Sequence, residues 1–169
     1  GGGEKVTLKI AAKYADYIFN NANAALNAPF SNYKNYFNAN ALFVASNESR
    51  WGVVSDTADT YFKAKSYLSD GRLVYGDGVK VKDTVGAALP LDARDVTIVL
   101  VNSKAYGGAG GPETWVTTGN LSSAEILLHE LGHSMAGMGD EYLDAALGAT
   151  PLTEPRNLAN VTTAKDSPP

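Results

Sequence analysis

Both histidines of the chain lie in one short segment, His129-Glu130-Leu131-Gly132-His133. Residues four apart on an α-helix share one face, so the two imidazoles can bind a single metal ion. Zn²⁺ accepts neutral imidazole nitrogens at about 2.0–2.1 Å, and catalytic zinc sites keep one coordination position for water. Glu130 follows His129 by about 100° around such a helix and can reach that water as a general base. The spacing therefore predicts a zinc site with His129 and His133 as ligands and Glu130 as the catalytic base.

The third ligand is expected shortly after the helix or from a segment farther along the chain. Gly137 and Gly139 permit a sharp reversal of the backbone, after which Asp140 offers a carboxylate oxygen that zinc accepts. The neighbouring Glu141 and the distant Glu154, which stands in a loop-like stretch before a proline, are the alternatives. Ligand chemistry and spacing favour Asp140 over both.

The helix that carries the histidines is predicted to begin near Ser122 and to end before Gly137. Ser122 and Glu125 have the spacing of a capping box, and Leu121 precedes them as a hydrophobic staple residue. Gly132 inside the helix costs about 1 kcal/mol relative to alanine, which a close approach of another backbone or of substrate would justify. Apolar side chains cover much of the helix: Ile126, Leu127, Leu128 and Leu131. A buried histidine pair needs partners, so a metal ion is favoured over two incidental surface histidines.

The remaining sequence indicates strands and helices that alternate along the chain. Strands are predicted at 6–10, 41–45 and 96–101, helices at 11–25 and 57–67, and a hairpin at 73–75 and 79–81 around Gly76-Asp77-Gly78. The β-branched run at 96–101 indicates a central strand buried on both faces. This order predicts an α/β fold, with helices packed on a mixed, twisted sheet.

A glycine-rich segment, Tyr106-Gly107-Gly108-Ala109-Gly110-Gly111, follows the strand at 96–101. It has two interpretations. Its bare backbone could pair with an extended substrate along a cleft, or it could be a flexible connection.

Composition limits the function further. The chain has 169 residues, a net charge of −4 and no cysteine. One domain is expected over 1–169, with 1–3 as a linker or cloning remnant and 148–169 as a loop-rich tail. The chain has no run of lysine or arginine, so neither a nucleic acid nor a membrane is expected as a partner. The chain is expected to be a monomer. From the sequence as given we expect neither a signal peptide nor a membrane-spanning stretch. Because the chain has no cysteine, zinc–thiolate sites, disulfides and cysteine nucleophiles are excluded.

The segment from His129 to Tyr142, HELGHSMAGMGDEY, resembles the signature of the immunoglobulin A peptidase family of bacterial zinc metallopeptidases. The resemblance extends in order over about residues 11–162, through further segments: 36–38, 46–49, 56–57, 101–103, 106–108 and 160–162. It implies a metzincin-like zinc peptidase domain with an active-site helix, one Zn²⁺, protein or peptide substrates, and export to the periplasm, cell surface or medium. Carried over residue by residue, it implies His129, His133 and Asp140 as ligands and Glu130 as the base.

A second function fits the same residues. Family members carry a longer amino-terminal strand and a glycine-tyrosine loop before the first helix, whereas here Ile10 leads directly into Ala11-Ala12-Lys13. The alternative is therefore a non-catalytic, zinc-stabilised binding module that retains the peptidase scaffold.

Overall fold

The structure, a computed structural model, describes residues 2–23, 27–49, 51–53, 58–67, 71–140, 158 and 160. Within these residues the α-helices and strands are, in chain order, α1 (Gly2–Asn20), β1 (Lys65–Ser66), β2 (Val74–Tyr75), α2 (Gly78–Ala88), β3 (Ile98–Val101), β4 (Gly108–Ala109), β5 (Thr114–Thr117) and α3 (Ser123–Ala136). The mixed α/β class is confirmed. The larger, metzincin-like twisted sheet is not confirmed, because the described strands form only small sheets. Among the described helices, none is both long and apolar enough to cross a membrane.

Strand β5 is the centre of the sheet that supports the histidine helix. It pairs in parallel with β3 and antiparallel with β4, so that Trp115 lies opposite Val99 on one side and Ala109 on the other. All four residues of β5 are buried. The expectation of a central strand at 96–101 is thus wrong in position. A strand forms there, but β3 has no described neighbour on its second edge, and Ile98 remains 36% exposed.

The two faces of β5 divide the core into two clusters. On one face Trp115 packs with the strands and with α2, in a cluster of Ala64, Val74, Val81, Val99, Val101, Ala109 and Trp115. On the other face Val116 packs against α1 and α3, in a cluster of Tyr14, Ile18, Val116, Ile126, Leu127 and Leu131. Because alternate residues of a strand point to opposite faces, β5 anchors both clusters at once.

The amino-terminal strand predicted at 6–10 is wrong, since these residues belong to α1. Ile10, Tyr14 and Ile18 recur every four residues, and this helical stripe packs in the cluster with α3. Tyr14 also donates its hydroxyl to the carbonyl oxygen of Thr118 at 3.0 Å. Packing of this stripe outweighs the short β-like alternation before it. The helix predicted at 11–25 is confirmed as far as Asn20, and residues 24–26 lie outside the described part.

The buried strand predicted at 41–45 is not formed, and Leu42 is 46% exposed. This segment borders a largely apolar cavity of about 1220 Å³, whose other walls include α1 and β3. Within the described residues the segment has no strand to pair with, and an apolar run needs such a partner to form a stable strand.

The helix predicted at 57–67 is also wrong over its described part, 58–67. Gly52 donates its N–H to the carbonyl oxygen of Ala64 and accepts from the N–H of Ser66, at 3.0 and 3.1 Å. These contacts with a distant segment hold the chain extended, and Lys65–Ser66 pairs with β2 as strand β1. Tertiary pairing therefore overrides the local helical preference.

The hairpin predicted around Gly76-Asp77-Gly78 is half right. Val74–Tyr75 forms β2, but Val79 and Val81 lie in α2. The Asp77 side chain accepts a hydrogen bond from the N–H of Lys80 at 2.9 Å, as an N-cap does. Aspartate followed by glycine suits a tight turn and a helix start equally, and here the helix forms.

Candidate metal centre

Helix α3 carries the predicted site and begins close to the predicted residue. Its cap differs from the prediction, because the Ser122 side chain makes no capping hydrogen bond. Glu125 instead accepts a hydrogen bond from the Tyr17 hydroxyl at 3.3 Å, which links α3 to α1. Leu121 is fully exposed and does not act as a staple. The capping box and the staple are therefore both wrong, although the helix is confirmed.

The carboxyl end of α3 folds back as the two glycines suggested. Gly137 adopts a left-handed conformation with φ of 62°, which glycine reaches without strain. Its N–H donates to the carbonyl oxygen of His133, and the N–H of Met138 donates to that of Gly132. This reversal turns Gly139 and Asp140 towards the histidine face.

The reversal brings three donor atoms together. The Nε2 atoms of His129 and His133 lie 3.2 Å apart. Asp140 Oδ1 lies 3.0 Å from the first Nε2 and 3.3 Å from the second. Two imidazoles and a carboxylate thus converge on one small triangle at the end of α3.

The dimensions of this triangle match a zinc site. Ligand atoms at about 2.0–2.1 Å from a tetrahedral Zn²⁺ stand about 3.3–3.4 Å from one another. The three observed separations, 3.0, 3.2 and 3.3 Å, are close to that value. Nitrogen and oxygen donors of this kind suit zinc, so the residues present fit the ion.

Glu130 is the fourth polar side chain of the centre. The donor atoms of His129, Glu130 and His133 all lie within 4.8 Å of one another, so Glu130 could itself act as a ligand. Its Oε2, however, is 4.0 Å from His133 Nε2, farther than Asp140 Oδ1 at 3.3 Å. Asp140 therefore completes the triangle of donor atoms better than Glu130 does.

Burial raises the pKa of the Glu130 carboxyl above its ordinary value. The positive character of His129 and His133 acts in the opposite direction, the negative charge of Asp140 raises the pKa further, and a hydrogen bond from the N–H of Gly110 lowers it. The Glu130 side chain is only 12% exposed. A carboxylate in such surroundings binds a proton more readily than one in water.

His133 is held in one orientation from outside the triangle. Its Nδ1 lies 2.6 Å from the carbonyl oxygen of Met138. Because a carbonyl oxygen can only accept, Nδ1 carries the hydrogen, and Nε2 keeps its lone pair for a metal ion. Outer contacts of this type fix the tautomer and the ring direction of ligand histidines.

The glycine-rich segment packs against this side of α3. A Cβ atom added at Gly108 would lie 2.6 Å from Ile126 Cγ2, and one at Gly110 would lie 2.8 Å from the carbonyl oxygen of Glu130. The outer edge of Gly108 is already bridged to Leu73. At this position the segment is therefore neither a flexible connection nor a free edge for substrate; its glycines allow close packing on the helix.

The alternative ligands Glu141 and Glu154, and the adjacent Tyr142, lie outside the described residues. Three contributors to the centre were not anticipated from the sequence: the N–H of Gly110, the carbonyl oxygen of Met138, and Asn160, which bonds to Gly139. Main-chain N–H and carbonyl groups occur in nearly every residue, so the sequence does not show which of them contact the centre. Asn160 stood out only as part of a segment that resembles the peptidase family.

Comparison with known protein families identifies a match that covers most of the chain. A sequence model of the family described as IgA Peptidase M64 matches residues 11–167. The matched range includes α3, the centre and Asn160, and it covers well over half of the chain. No curated protein sequence matches.

Proposed function

Because the chain belongs to the IgA Peptidase M64 family, we propose that it is a zinc-dependent endopeptidase whose active site is the centre on α3. The proposal rests on the triangle that the three donor atoms of the centre form. His129 Nε2, His133 Nε2 and Asp140 Oδ1 stand 3.0 to 3.3 Å apart, the spacing of three ligands on one tetrahedral zinc ion.

In this proposal His129, His133 and Asp140 hold the ion. When bound, Zn²⁺ supplies a Lewis acid that polarises the scissile carbonyl and lowers the pKa of a water. The hydrogen bond from His133 Nδ1 to the Met138 carbonyl keeps one imidazole in position before metal arrives.

Glu130 would accept the proton of the attacking water and then pass it to the leaving amine. Its partial burial supports this role, because a raised pKa makes the carboxylate a stronger base. The N–H of Gly110 donates to the same carboxylate and would fix its direction. Proton transfer by a positioned side chain needs such a fixed geometry.

We propose that the substrates are proteins or peptides, which are cleaved at internal peptide bonds. We also propose that the protein is a monomer and that it is exported. A protein substrate follows from the peptidase family. The net charge of −4 supports a substrate that is not a polyanion. The exported location is supported by the resemblance to the immunoglobulin A peptidases.

The direct experiment measures bound zinc and cleavage in one preparation. We expect close to one equivalent of zinc, cleavage of a denatured protein, loss of cleavage with a chelator, and recovery when zinc is restored. The His129→Ala variant should lose both zinc and cleavage. Zinc binding without any cleavage would instead favour the non-catalytic binding module.

A further inference from the structure

Asn160 bonds to both main-chain polar groups of Gly139, the residue before Asp140. Its Oδ1 accepts from the N–H of Gly139 at 2.7 Å, and its Nδ2 donates to the carbonyl oxygen of Gly139 at 2.9 Å. A side-chain amide has one donor side and one acceptor side, so it satisfies both groups of one residue simultaneously. The contact joins positions 21 residues apart in the sequence.

These two hydrogen bonds fix the two peptide groups on either side of Gly139. The first group consists of the Met138 carbonyl and the Gly139 N–H. Its carbonyl oxygen accepts from His133 Nδ1 at 2.6 Å, and its N–H donates to Asn160. The second contains the Gly139 carbonyl oxygen and leads directly into Asp140. One peptide group thus orients a ligand histidine, and the next sets the start of the ligand aspartate.

We propose that Asn160 is a positioning residue of the metal centre, on which it acts through the Gly139 backbone. This inference rests on the proposed function, in which His133 and Asp140 bind zinc. Gly139 lacks a Cβ atom and has a wide choice of backbone conformations. The paired amide removes that freedom and holds Asp140 Oδ1 at 3.0 and 3.3 Å from the two imidazoles.

The test uses two variants of Asn160 and one matched control. Asn160→Ala removes both hydrogen bonds to Gly139. Asn160→Asp keeps the acceptor for the Gly139 N–H and loses the donor to its carbonyl oxygen. Asn32→Ala removes an exposed asparagine of the turn after Pro29 and serves as the control.

Two quantities are measured for each protein: zinc affinity, by competition with a chelator, and hydrogen exchange of the Gly139 amide in the metal-free state. We expect Asn160→Ala to weaken zinc binding about 10–100-fold, the usual effect of losing an outer support of a metal ligand. The Gly139 amide should lose protection in this variant. Asn160→Asp should retain part of that protection and bind zinc with intermediate affinity, and the control should match the parent protein.

Urea unfolding of the metal-free variants separates positioning from a general loss of stability. If zinc affinity and Gly139 exchange in Asn160→Ala equal those of the parent, the inference is overturned while the proposed function stands. The inference also fails if Asn160→Ala unfolds and Asn160→Asp, which folds, keeps the parent's zinc affinity. If the parent protein itself binds no zinc, the proposed function fails, and the positioning role fails with it.

Discussion

Two carboxylates beside the same pair of imidazoles differ in their surroundings. Asp140 is 41% exposed and has the short side chain that suits a ligand on a tight turn. Glu130 is 12% exposed, and burial raises the pKa of its carboxyl. A partly dehydrated carboxylate is the better proton acceptor, whereas a solvated one remains charged more easily beside a metal ion. Their environments support a division of roles, with Asp140 as ligand and Glu130 as base.

Replacement of Glu130 separates catalysis from metal binding. We expect Glu130→Ala to lower the hydrolysis rate about 10²–10⁴-fold, since this is the usual contribution of a general base. Bound zinc should remain near one equivalent, because Glu130 lies outside the ligand triangle. Glu125→Ala, on the exposed side of the same helix, is the matched control and should retain activity. Unchanged turnover in Glu130→Ala would remove this residue from the mechanism.

The third ligand is tested by comparing three carboxylates. Asp140→Ala should weaken zinc binding more than Glu141→Ala or Glu154→Ala, because Asp140 Oδ1 completes the triangle with both imidazoles. Titration against a competing chelator gives the three affinities. If Glu141→Ala or Glu154→Ala is the most damaging, the assignment of Asp140 is wrong.

Among the helices, strands and turns, the sequence correctly predicted those that depend on residues close together in the chain. The apolar turns of α3, the Gly137 reversal and the β-branched run at 96–101 are all local, and each is found. The helix at 11–25 was likewise found as far as Asn20. From these local features the sequence predicted His129, Glu130 and His133 on one helix and a reversal of the chain that leads to Asp140.

The elements that failed depend on contacts with distant segments. Residues 6–10 became helical because Ile10 continues a stripe that packs against α3. Residues 64–66 became extended because Gly52 pairs with them. No pattern within a few residues reveals which distant partner is present.

Two glycines at the contact between the glycine-rich segment and α3, Gly110 and Gly132, differ in the space that surrounds them. A Cβ at Gly110 would lie 2.5 Å from His133 Cβ and 2.8 Å from the carbonyl oxygen of Glu130, so neighbouring backbone must shift. At Gly132, by contrast, the only described atom within 4 Å of an added Cβ, apart from the adjacent residues and the backbone of α3 itself, is Met138 Sδ, at an ordinary 3.5 Å. Of the two close approaches expected at Gly132, that of another backbone is therefore not found among the described residues. The close backbone contact lies at Gly110 instead.

We expect Gly110→Ala to lower the free energy of unfolding by about 1–3 kcal/mol, the usual cost of overpacking. Gly132→Ala should raise it by about 1 kcal/mol, because alanine is favoured over glycine within a helix. Urea unfolding of the metal-free proteins measures both changes. Equal effects of the two substitutions would contradict the packing described at β4 and α3.

In the described part of the molecule, the hydrophobic core is formed by residues other than those of the metal centre. Both hydrophobic clusters are built on β5, and neither contains His129, His133 or Asp140. Trp115, Val116 and Leu127 are among the most buried side chains. Burial of apolar surface therefore stabilises the fold whether or not an ion is bound.

Metal removal should consequently loosen the protein without unfolding it. Binding to the folded state alone contributes RT ln(1 + [Zn]/Kd), about 4 kcal/mol when free zinc is a thousandfold above Kd. We expect a chelator to lower the melting temperature while the metal-free chain stays folded at room temperature. Circular dichroism and thermal unfolding measure both. Complete unfolding on chelation would show that the centre is structural, as in a zinc finger.

Whether the centre on α3 hydrolyses peptide bonds can be measured with a peptide-library digest in H₂¹⁸O. The zinc-loaded chain and its Glu130→Ala variant are incubated in parallel with the library, and the products are identified by mass spectrometry. With the parent chain we expect new carboxyl termini that carry ¹⁸O, and we expect far fewer with the variant or with chelator present. A zinc-loaded parent chain that cleaves no peptide, or that cleaves as fast as its Glu130→Ala variant, would contradict this expectation.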